Sequence, residues 1–227
     1  MTAKVATASS ATEAGAVVQA APRRSRRAQV AIMGGLLLLA AGVAVAGRML
    51  RPTPPLPVYG VVPTFSLTDQ AGASFTNANM LGKAWVADFV FTHCTSTCPQ
   101  LTKRMKQLEA ALDAKGKGGG VRFVSFSVDP ENDTPPVLSA YAAKAGADAP
   151  RWTFVTGPSD DVQKTIVDGF KVAIARTDTG SGDANILHGN WFAVGDAKGR
   201  VRGYYITETD DDMKVIVDDV VALEREN

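Results

Sequence analysis

The residues best suited to chemistry in this chain are two cysteines, Cys94 and Cys98, separated by three residues in a polar run. They are the only cysteines among 227 residues. Two thiols at this spacing can form a disulfide, exchange one with a partner, or bind a soft metal ion together. Two cysteines are too few for a disulfide scaffold, and the polar loop argues against a pair of buried small hydrophobic residues.

The segments on either side of the pair place it where open α/β sheets carry their sites. Residues 84–91 are mostly apolar on both faces, which predicts a central strand that ends just before Cys94. Residues 98–114 predict a helix, so Cys98 would lie at a helix N-terminus, where the dipole is expected to favour a thiolate. The apolar stripe of this helix consists of Leu101, Met105, Leu108 and Leu112.

The rest of the chain alternates between strand and helix patterns. Further strands are predicted over 65–67, 74–76, 121–128, 152–156, 190–194 and 201–206. Further helices are predicted from Thr134 to about 145, from a capping Ser159 to about 170, and over 210–224. Residues 176–187 are polar and lack periodicity, which predicts a mobile loop. The order predicts an α/β fold with a central sheet flanked by helices.

The donor inventory narrows the choice of metal. Beyond the cysteines, the only strong nitrogen donors are His93 and His188. Two thiolates suit Cu(I), whereas a structural zinc site needs four ligands. A zinc site of two cysteines and two histidines is arithmetically possible, but His93 adjoins Cys94, and adjacent residues rarely both face one ion. Copper held by two cysteines and one histidine is favoured, and disulfide chemistry stays open.

An apolar N-terminal segment predicts a membrane anchor. Residues 28–47 contain no charge, and a helix of this length is roughly 30 Å long, the thickness of a bilayer core. Four arginines precede it within 23–27 and two follow within 48–51, which predicts that the N-terminal side stays in the cytoplasm or matrix. A cleaved signal peptide is the alternative, and the composition of 1–27 also suits a mitochondrial transit peptide.

These patterns predict four parts: a cytoplasmic or matrix tail over 1–27, a transmembrane anchor over 28–47, a proline-rich linker over 48–60, and one domain over 61–227. The domain is expected on the extracytoplasmic side, which is the periplasmic side in a bacterium, with the mitochondrial intermembrane space as the alternative. The net charge of +1 gives no reason to expect a nucleic-acid partner.

Four motifs give the soluble part a family resemblance that covers residues 62–205. They are PTFSLTD over 63–69, FVFTHCTSTCP over 89–99, SVDPENDTP over 127–135 and WTFVTG over 152–157. Together they resemble the SCO/SenC family, the thioredoxin-like copper chaperones of cytochrome oxidase assembly. The paired C-x3-C-P and S-V-D-P-x-x-D-T-P motifs make the resemblance specific, although either alone would be moderate evidence.

The resemblance implies a thioredoxin-like domain that binds copper, as Cu(I) or Cu(II), through Cys94, Cys98 and His188. The two cysteines match directly. His188 matches by its place just before a strand, and its neighbours are not distinctive. The implied role is delivery of copper by thiolate ligand exchange to the copper-accepting subunit of cytochrome c oxidase. A disulfide between the cysteines would abolish binding, and a thiol–disulfide reductase is a further expected partner.

The alternative is a membrane-anchored thiol–disulfide oxidoreductase that reduces partner cysteines, with Cys94 and Cys98 as the catalytic pair. Asp88 lies six residues before Cys94, the spacing at which thioredoxins carry an aspartate that exchanges protons with their thiols. A carboxylate at a strand edge, bonded to Lys83 or to a backbone group, is the simpler interpretation of Asp88. A peroxidase of related fold is a weaker alternative, and Met105 is interpreted as a core methionine.

Overall fold

The computed structural model describes residues 26–49, 55–95, 97–149, 151–173, 175–176, 186–187 and 191–226. The chain divides into two compact units, Met1–Pro54 and Pro55–Asn227. In the first unit, helix α1 spans Arg26–Met49 and covers the predicted anchor. Among the residues described, no helix combines the length and apolar character needed to cross a membrane, so the transmembrane anchor is not confirmed.

The second unit alternates strands and helices in the predicted order. Its first strands and helices are β1 (Gly60–Val61), β2 (Ser66–Asp69), β3 (Ser74–Thr76), β4 (Ala84–Val90), α2 (Thr97–Ala114), β5 (Val121–Ser127) and α3 (Pro135–Ala145). They are followed by β6 (Trp152–Thr156), α4 (Ser159–Lys164), β7 (Ala175–Arg176), β8 (Ile186–Leu187), β9 (Trp191–Gly195), β10 (Arg200–Ile206) and α5 (Asp210–Arg225).

Eight of the described strands form one mixed sheet in the order β1-β10-β9-β4-β5-β6-β2-β3. Strands β4, β5 and β6 are parallel, and β9 pairs antiparallel with β4 on its other side. All seven residues of β4 are buried, as predicted for a central strand. The carboxyl ends of the parallel strands meet at one edge of the sheet, and the cysteine loop follows the end of β4 there.

Side-chain alternation assigns the two faces of β4. The rings of Trp85 and Phe89 contact Phe170, with centroids 5.8 and 5.4 Å apart, so these positions face the aromatic side of the core. Because successive side chains point to opposite faces of a strand, Asp88 faces the other side. Helix α2 covers that side with its predicted apolar stripe, whose four residues are all buried: Leu101, Met105, Leu108 and Leu112.

Two segments differ from the expected pattern. The helix predicted to run from a capping Ser159 to about 170 begins at Ser159 but has Pro158 as its N-cap, and α4 ends at Lys164. A π-helical turn, Thr165–Gly169, follows. The hydroxyl of Thr165 donates to the carbonyl oxygen of Asp161 at 2.7 Å, a contact of the kind that bends helices.

The second difference concerns the segment expected to be a mobile loop over 176–187. Its two ends form short antiparallel strands, with Ala175 paired to Leu187 and Arg176 paired to Ile186. Residues 177–185 lie outside the described part of the chain. The segment is therefore closed at its base by a two-stranded ladder.

Candidate copper site

The two cysteines lie in the loop that joins β4 to α2. The N–H group of Cys94 donates to the carbonyl oxygen of Phe91 at 3.3 Å, which turns the chain at the end of the strand. The N–H group of Cys98 donates to Sγ of Cys94, also at 3.3 Å. Sγ of Cys94 thus accepts from the first turn of α2 as an N-cap oxygen would. The cysteines are close together and are not joined by a disulfide.

Burial determines the acidity of the second thiol. The exposed fraction is 8% for Cys94 and 0% for Cys98. Burial raises the pKa of Cys98 well above its ordinary value, and a hydrogen bond with the Phe91 backbone has a smaller effect in the opposite direction. The prediction that the helix N-terminus would favour a thiolate at Cys98 is therefore wrong for the metal-free protein, because burial raises the pKa of the thiol by more than the hydrogen bond with the Phe91 backbone lowers it.

Asp88 is a second ionisable group buried next to this site. It is fully buried, and neither carboxylate oxygen has a hydrogen-bond partner of normal geometry among the described residues. Burial raises the pKa of Asp88 to about 7, and the nearby Ser125 hydroxyl on β5 lowers it only in part. A negative charge on Asp88 would also raise the pKa of Cys98, which places the two groups within electrostatic reach.

Asp88 should make the stability of the reduced, copper-free protein depend on pH. Its pKa is about 7 when folded and close to 3.9 in an unfolded chain, so the unfolded state loses its proton first. The free energy of unfolding is expected to fall between about pH 4 and pH 7, by on the order of 4 kcal/mol. Urea unfolding at several pH values measures this change.

Two variants separate this effect from other titrations. Asp88→Asn should flatten the pH dependence between pH 4 and 7 and raise stability at pH 8, because no charge remains to be buried. Asp160→Asn removes a carboxylate from an exposed position of α4 and should retain the wild-type slope. An unchanged slope in Asp88→Asn would show that Asp88 does not titrate in this range.

Asp133 connects the cysteine loop to the loop that follows β5. Its side chain is fully buried. The hydroxyl of Thr92 donates to Oδ1 of Asp133 at 2.5 Å, and the Thr92 N–H donates to the same oxygen at 3.2 Å. The hydroxyl of Ser127, the last residue of β5, donates to Oδ2 at 2.6 Å. One buried carboxyl group therefore fixes the chain two residues before Cys94.

The SVDPENDTP motif alone did not predict this role of Asp133. Thr134 is the N-cap residue of α3, and its side chain makes no capping bond. Asp129 does shape its own loop, because it accepts from the side chain of Asn132 at 2.8 Å. The available sequence signal was the position of Asp133, which lies in the loop after the carboxyl end of the central strand β5, where α/β sheets carry their sites.

The other predicted candidates differ in their surroundings. His93 is exposed beside the buried Cys94, and Met105 is fully buried in the core. His188, the third predicted ligand, lies outside the described residues. Within the described ranges, no three His, Cys, Asp or Glu side chains are grouped as a metal site would require. Of the three predicted copper ligands, Cys94 and Cys98 are thus the two that the structure describes.

Comparison with known proteins identifies the family of the domain that carries this site. Residues 56–223 match the SCO1/SenC family model. The SCO1 protein homolog of Bacillus subtilis is 33% identical over 144 residues, which cover 63% of this chain and 72% of that protein. The match includes the cysteine loop, α2, the loop after β5 and α3.

Solved structures show the same fold. BsSco, a member of the Sco family of cytochrome c oxidase assembly proteins with an identified disulfide switch, is 29% identical and superposes with a TM-score of 0.66. The likeness covers 77% of this chain and 100% of BsSco. Copper-bound yeast Sco1 is 24% identical, with a TM-score of 0.63 over 75% of this chain and 91% of the yeast chain. These likenesses confirm the predicted mixed α/β, thioredoxin-like fold.

Proposed function

The chain belongs to the SCO1/SenC family, and we propose that it is a copper metallochaperone for cytochrome c oxidase. It would bind one copper ion through Cys94 and Cys98 and deliver it to the dinuclear copper centre of the oxidase. The observation that carries the proposal is the contact between the Cys98 N–H group and the Cys94 sulfur in a loop at the carboxyl edge of the sheet. BsSco, which is 29% identical and is named as a member of the Sco family of cytochrome c oxidase assembly proteins, supports it.

The chemistry of the donor pair favours a soft monovalent cargo. Two thiolates match Cu(I) in softness and satisfy its low coordination number. Because burial raises the pKa of Cys98, copper binding must release its proton, so the apparent affinity should rise with pH. The burial that disfavours a bare thiolate at Cys98 also makes the metal-free Cys98 thiol a weak nucleophile. These properties suit a carrier of copper better than a fast thiol catalyst.

Transfer would proceed by exchange of sulfur ligands. An acceptor thiolate binds the copper ion while one of the two cysteines leaves and takes up a proton, and a second exchange completes the transfer. Oxidation of the pair would block loading, because a disulfide has no thiolate to offer. That oxidation removes two electrons and two protons from the thiols, and an electron acceptor such as two Cu(II) ions must take the electrons.

His188 is proposed as the third ligand on topological grounds. Strand β9 runs antiparallel to β4, with Ala193 paired to Ala87, so β9 begins at the sheet edge where β4 ends and the cysteine loop starts. His188 precedes the first residue of β9, Trp191, by three positions. Three residues span at most about 11 Å. This reach supports an imidazole contribution to the copper site.

Loss of the His188 imidazole should discriminate between copper oxidation states. His188→Ala is expected to weaken Cu(II) binding by at least roughly 10–100-fold, the effect of losing a group that only supports a metal ligand, but Cu(I) binding only slightly, because Cu(I) accepts two-coordinate sulfur. His93→Ala, which removes the other histidine, should change neither affinity. Competition titrations with chelators in each oxidation state measure both constants. Equal losses for Cu(I) and Cu(II) in His188→Ala would contradict the assignment.

A thiol–disulfide oxidoreductase is the second candidate, favoured by the buried Asp88 with its raised pKa near Cys98. A transfer experiment separates the two functions. The reduced, Cu(I)-loaded chain is mixed with the purified copper-accepting domain of the oxidase, and insulin reduction is measured in parallel. Stoichiometric copper transfer with slow insulin reduction supports the metallochaperone. Rapid insulin reduction that is indifferent to His188→Ala, without copper transfer, supports the enzyme.

We further propose that the domain acts on the extracytoplasmic side of a membrane. The proposal rests on the arginines before the apolar segment over 28–47. The dinuclear copper centre of an oxidase would be reached from that side.

A further inference from the structure

A groove between α2 and α3 lies next to the cysteine loop and has no assigned role. It has a volume of about 330 Å³ and is lined by Pro99, Thr102, Lys103, Lys106, Tyr141, Lys144 and Ala145. Pro99 directly follows Cys98, and Thr102 lies one helical turn beyond it. The groove therefore begins at the helix turn that carries the second thiol.

The charge of this groove is strongly one-sided. Three lysines line it and no acidic residue does. Lys106 forms an ion pair with Glu109 at 2.6 Å and also donates to the carbonyl oxygen of Gly146. Lys103 and Lys144 are exposed and have no ion pair with any residue that the structure describes. Two uncompensated positive charges thus face one concave surface of a chain whose net charge is only +1.

The floor of the groove is less polar and is linked to the thiol site. The hydroxyl groups of Tyr141 and Thr102 share a hydrogen bond of 2.8 Å across the two helices. Burial raises the pKa of Tyr141 to about 12, and the charges of Asp88, Cys98 and Cys94 add to the increase. Tyr141 therefore lines the groove and lies within electrostatic reach of both thiols.

We propose that this lysine groove is the docking site for an acidic, partly apolar segment of the copper acceptor. The inference rests on the proposed function and adds the face from which the acceptor approaches. Carboxylates of the segment would pair with Lys103 and Lys144, and an apolar side chain would cover Tyr141 and Pro99. A segment bound there would bring its neighbouring residues to the start of α2, beside Cys98.

The shape of the groove favours a polypeptide over the other anionic surfaces. A flat bilayer could contact the lysine head groups but could not fill a concave space of about 330 Å³ or reach the Tyr141 ring at its floor. A peptide can satisfy both the charges and the apolar floor. Electrostatic pairing at an interface rim chiefly increases the association rate and orients the partner, which suits a transient transfer complex.

The test measures binding of a fluorescent hexaglutamate peptide with one central phenylalanine to the reduced full-length chain at low salt. In the groove variant, Lys103→Glu combined with Lys144→Glu, the affinity should fall by about ten-fold or more, because two attractions become repulsions. The matched control is Lys164→Glu combined with Lys198→Glu. The control changes the net charge by the same amount. It also matches the helix position, because Lys164 lies in the last turn of α4 as Lys144 lies in the last turn of α3. The control should change the affinity less than about two-fold.

Three outcomes would overturn the proposal. The wild type could fail to bind the peptide, the control could lose as much affinity as the groove variant, or anionic phosphatidylglycerol vesicles could show the groove dependence while the peptide does not. Copper stoichiometry of the groove variant separates this proposal from the proposed function. A variant that loads copper normally but binds the peptide like the wild type contradicts only the groove, whereas a wild type that binds no copper contradicts the function.

Discussion

Replacing Cys98 with serine is expected to lower the affinity for Cu(I) by at least roughly 100-fold, the upper end of the effect of losing a supporting group around a metal. The serine hydroxyl is a hard donor of high pKa and cannot replace a thiolate for Cu(I). The fold should survive, because the substitution replaces one small buried side chain with another. Anaerobic competition with a chromophoric Cu(I) chelator measures the affinity, and circular dichroism checks the fold.

Two further variants make this result specific. Cys94→Ser should lose as much copper affinity, whereas the start of α2 should be retained, since the serine oxygen can accept from the Cys98 N–H group in place of Sγ. Met105→Leu removes a buried sulfur from the same helix and conserves volume, so copper affinity should stay at the wild-type value. Wild-type affinity in Cys98→Ser, or an equal loss in Met105→Leu, would refute the two-cysteine site.

Replacing Asp133 with alanine is expected to destabilise the protein by about 2–5 kcal/mol, because the Thr92 N–H, the Thr92 hydroxyl and the Ser127 hydroxyl lose their buried acceptor. Copper affinity should fall as well, because the carboxyl group fixes the chain two residues before Cys94. Urea unfolding of the reduced protein measures the first effect. Cu(I) competition, under conditions in which the variant is folded, measures the second.

A conservative variant at Asp133 and a control variant at another aspartate test why Asp133→Ala loses stability and copper affinity. Asp133→Asn retains one oxygen that can accept from Thr92, so its stability and copper affinity should lie between those of the wild type and Asp133→Ala. Asp148→Ala removes a carboxylate that is 61% exposed and makes only a long contact of 4.0 Å with Arg151. It should therefore change stability by less than about 0.5 kcal/mol. A destabilised Asp133→Ala protein that binds copper like the wild type would limit Asp133 to a structural role.

The parts of the fold that follow local periodicity were predictable from the sequence. The apolar pattern of 84–91 predicted a central strand, and the stripe that begins at Leu101 predicted the buried face of α2. The cysteine loop could be placed at the sheet edge because strand and helix patterns adjoin it directly. Each of these features depends on residues that are neighbours in the sequence.

The remaining features depend on contacts between distant parts of the chain. Asp133 accepts a hydrogen bond from Thr92, which lies 41 residues earlier in the sequence. No local sequence pattern predicts that contact. The acidity of Cys98 was predicted in the wrong direction because a helix terminus is visible in the sequence, whereas the extent of burial depends on packing. The lysine groove likewise depends on the packing of α2 beside α3, which brings Lys103 and Lys144 to the lining of one groove.

The central claim, a copper ion held by both cysteines, is tested most directly by X-ray absorption at the copper edge. The reduced full-length chain is loaded with Cu(I) under anaerobic conditions, and bound metal is counted before the measurement. The account predicts one copper per chain with two sulfur neighbours, and loss of both the metal and the sulfur signal when Cys94 and Cys98 are serine. Substoichiometric copper, or a spectrum that lacks sulfur neighbours, would contradict it.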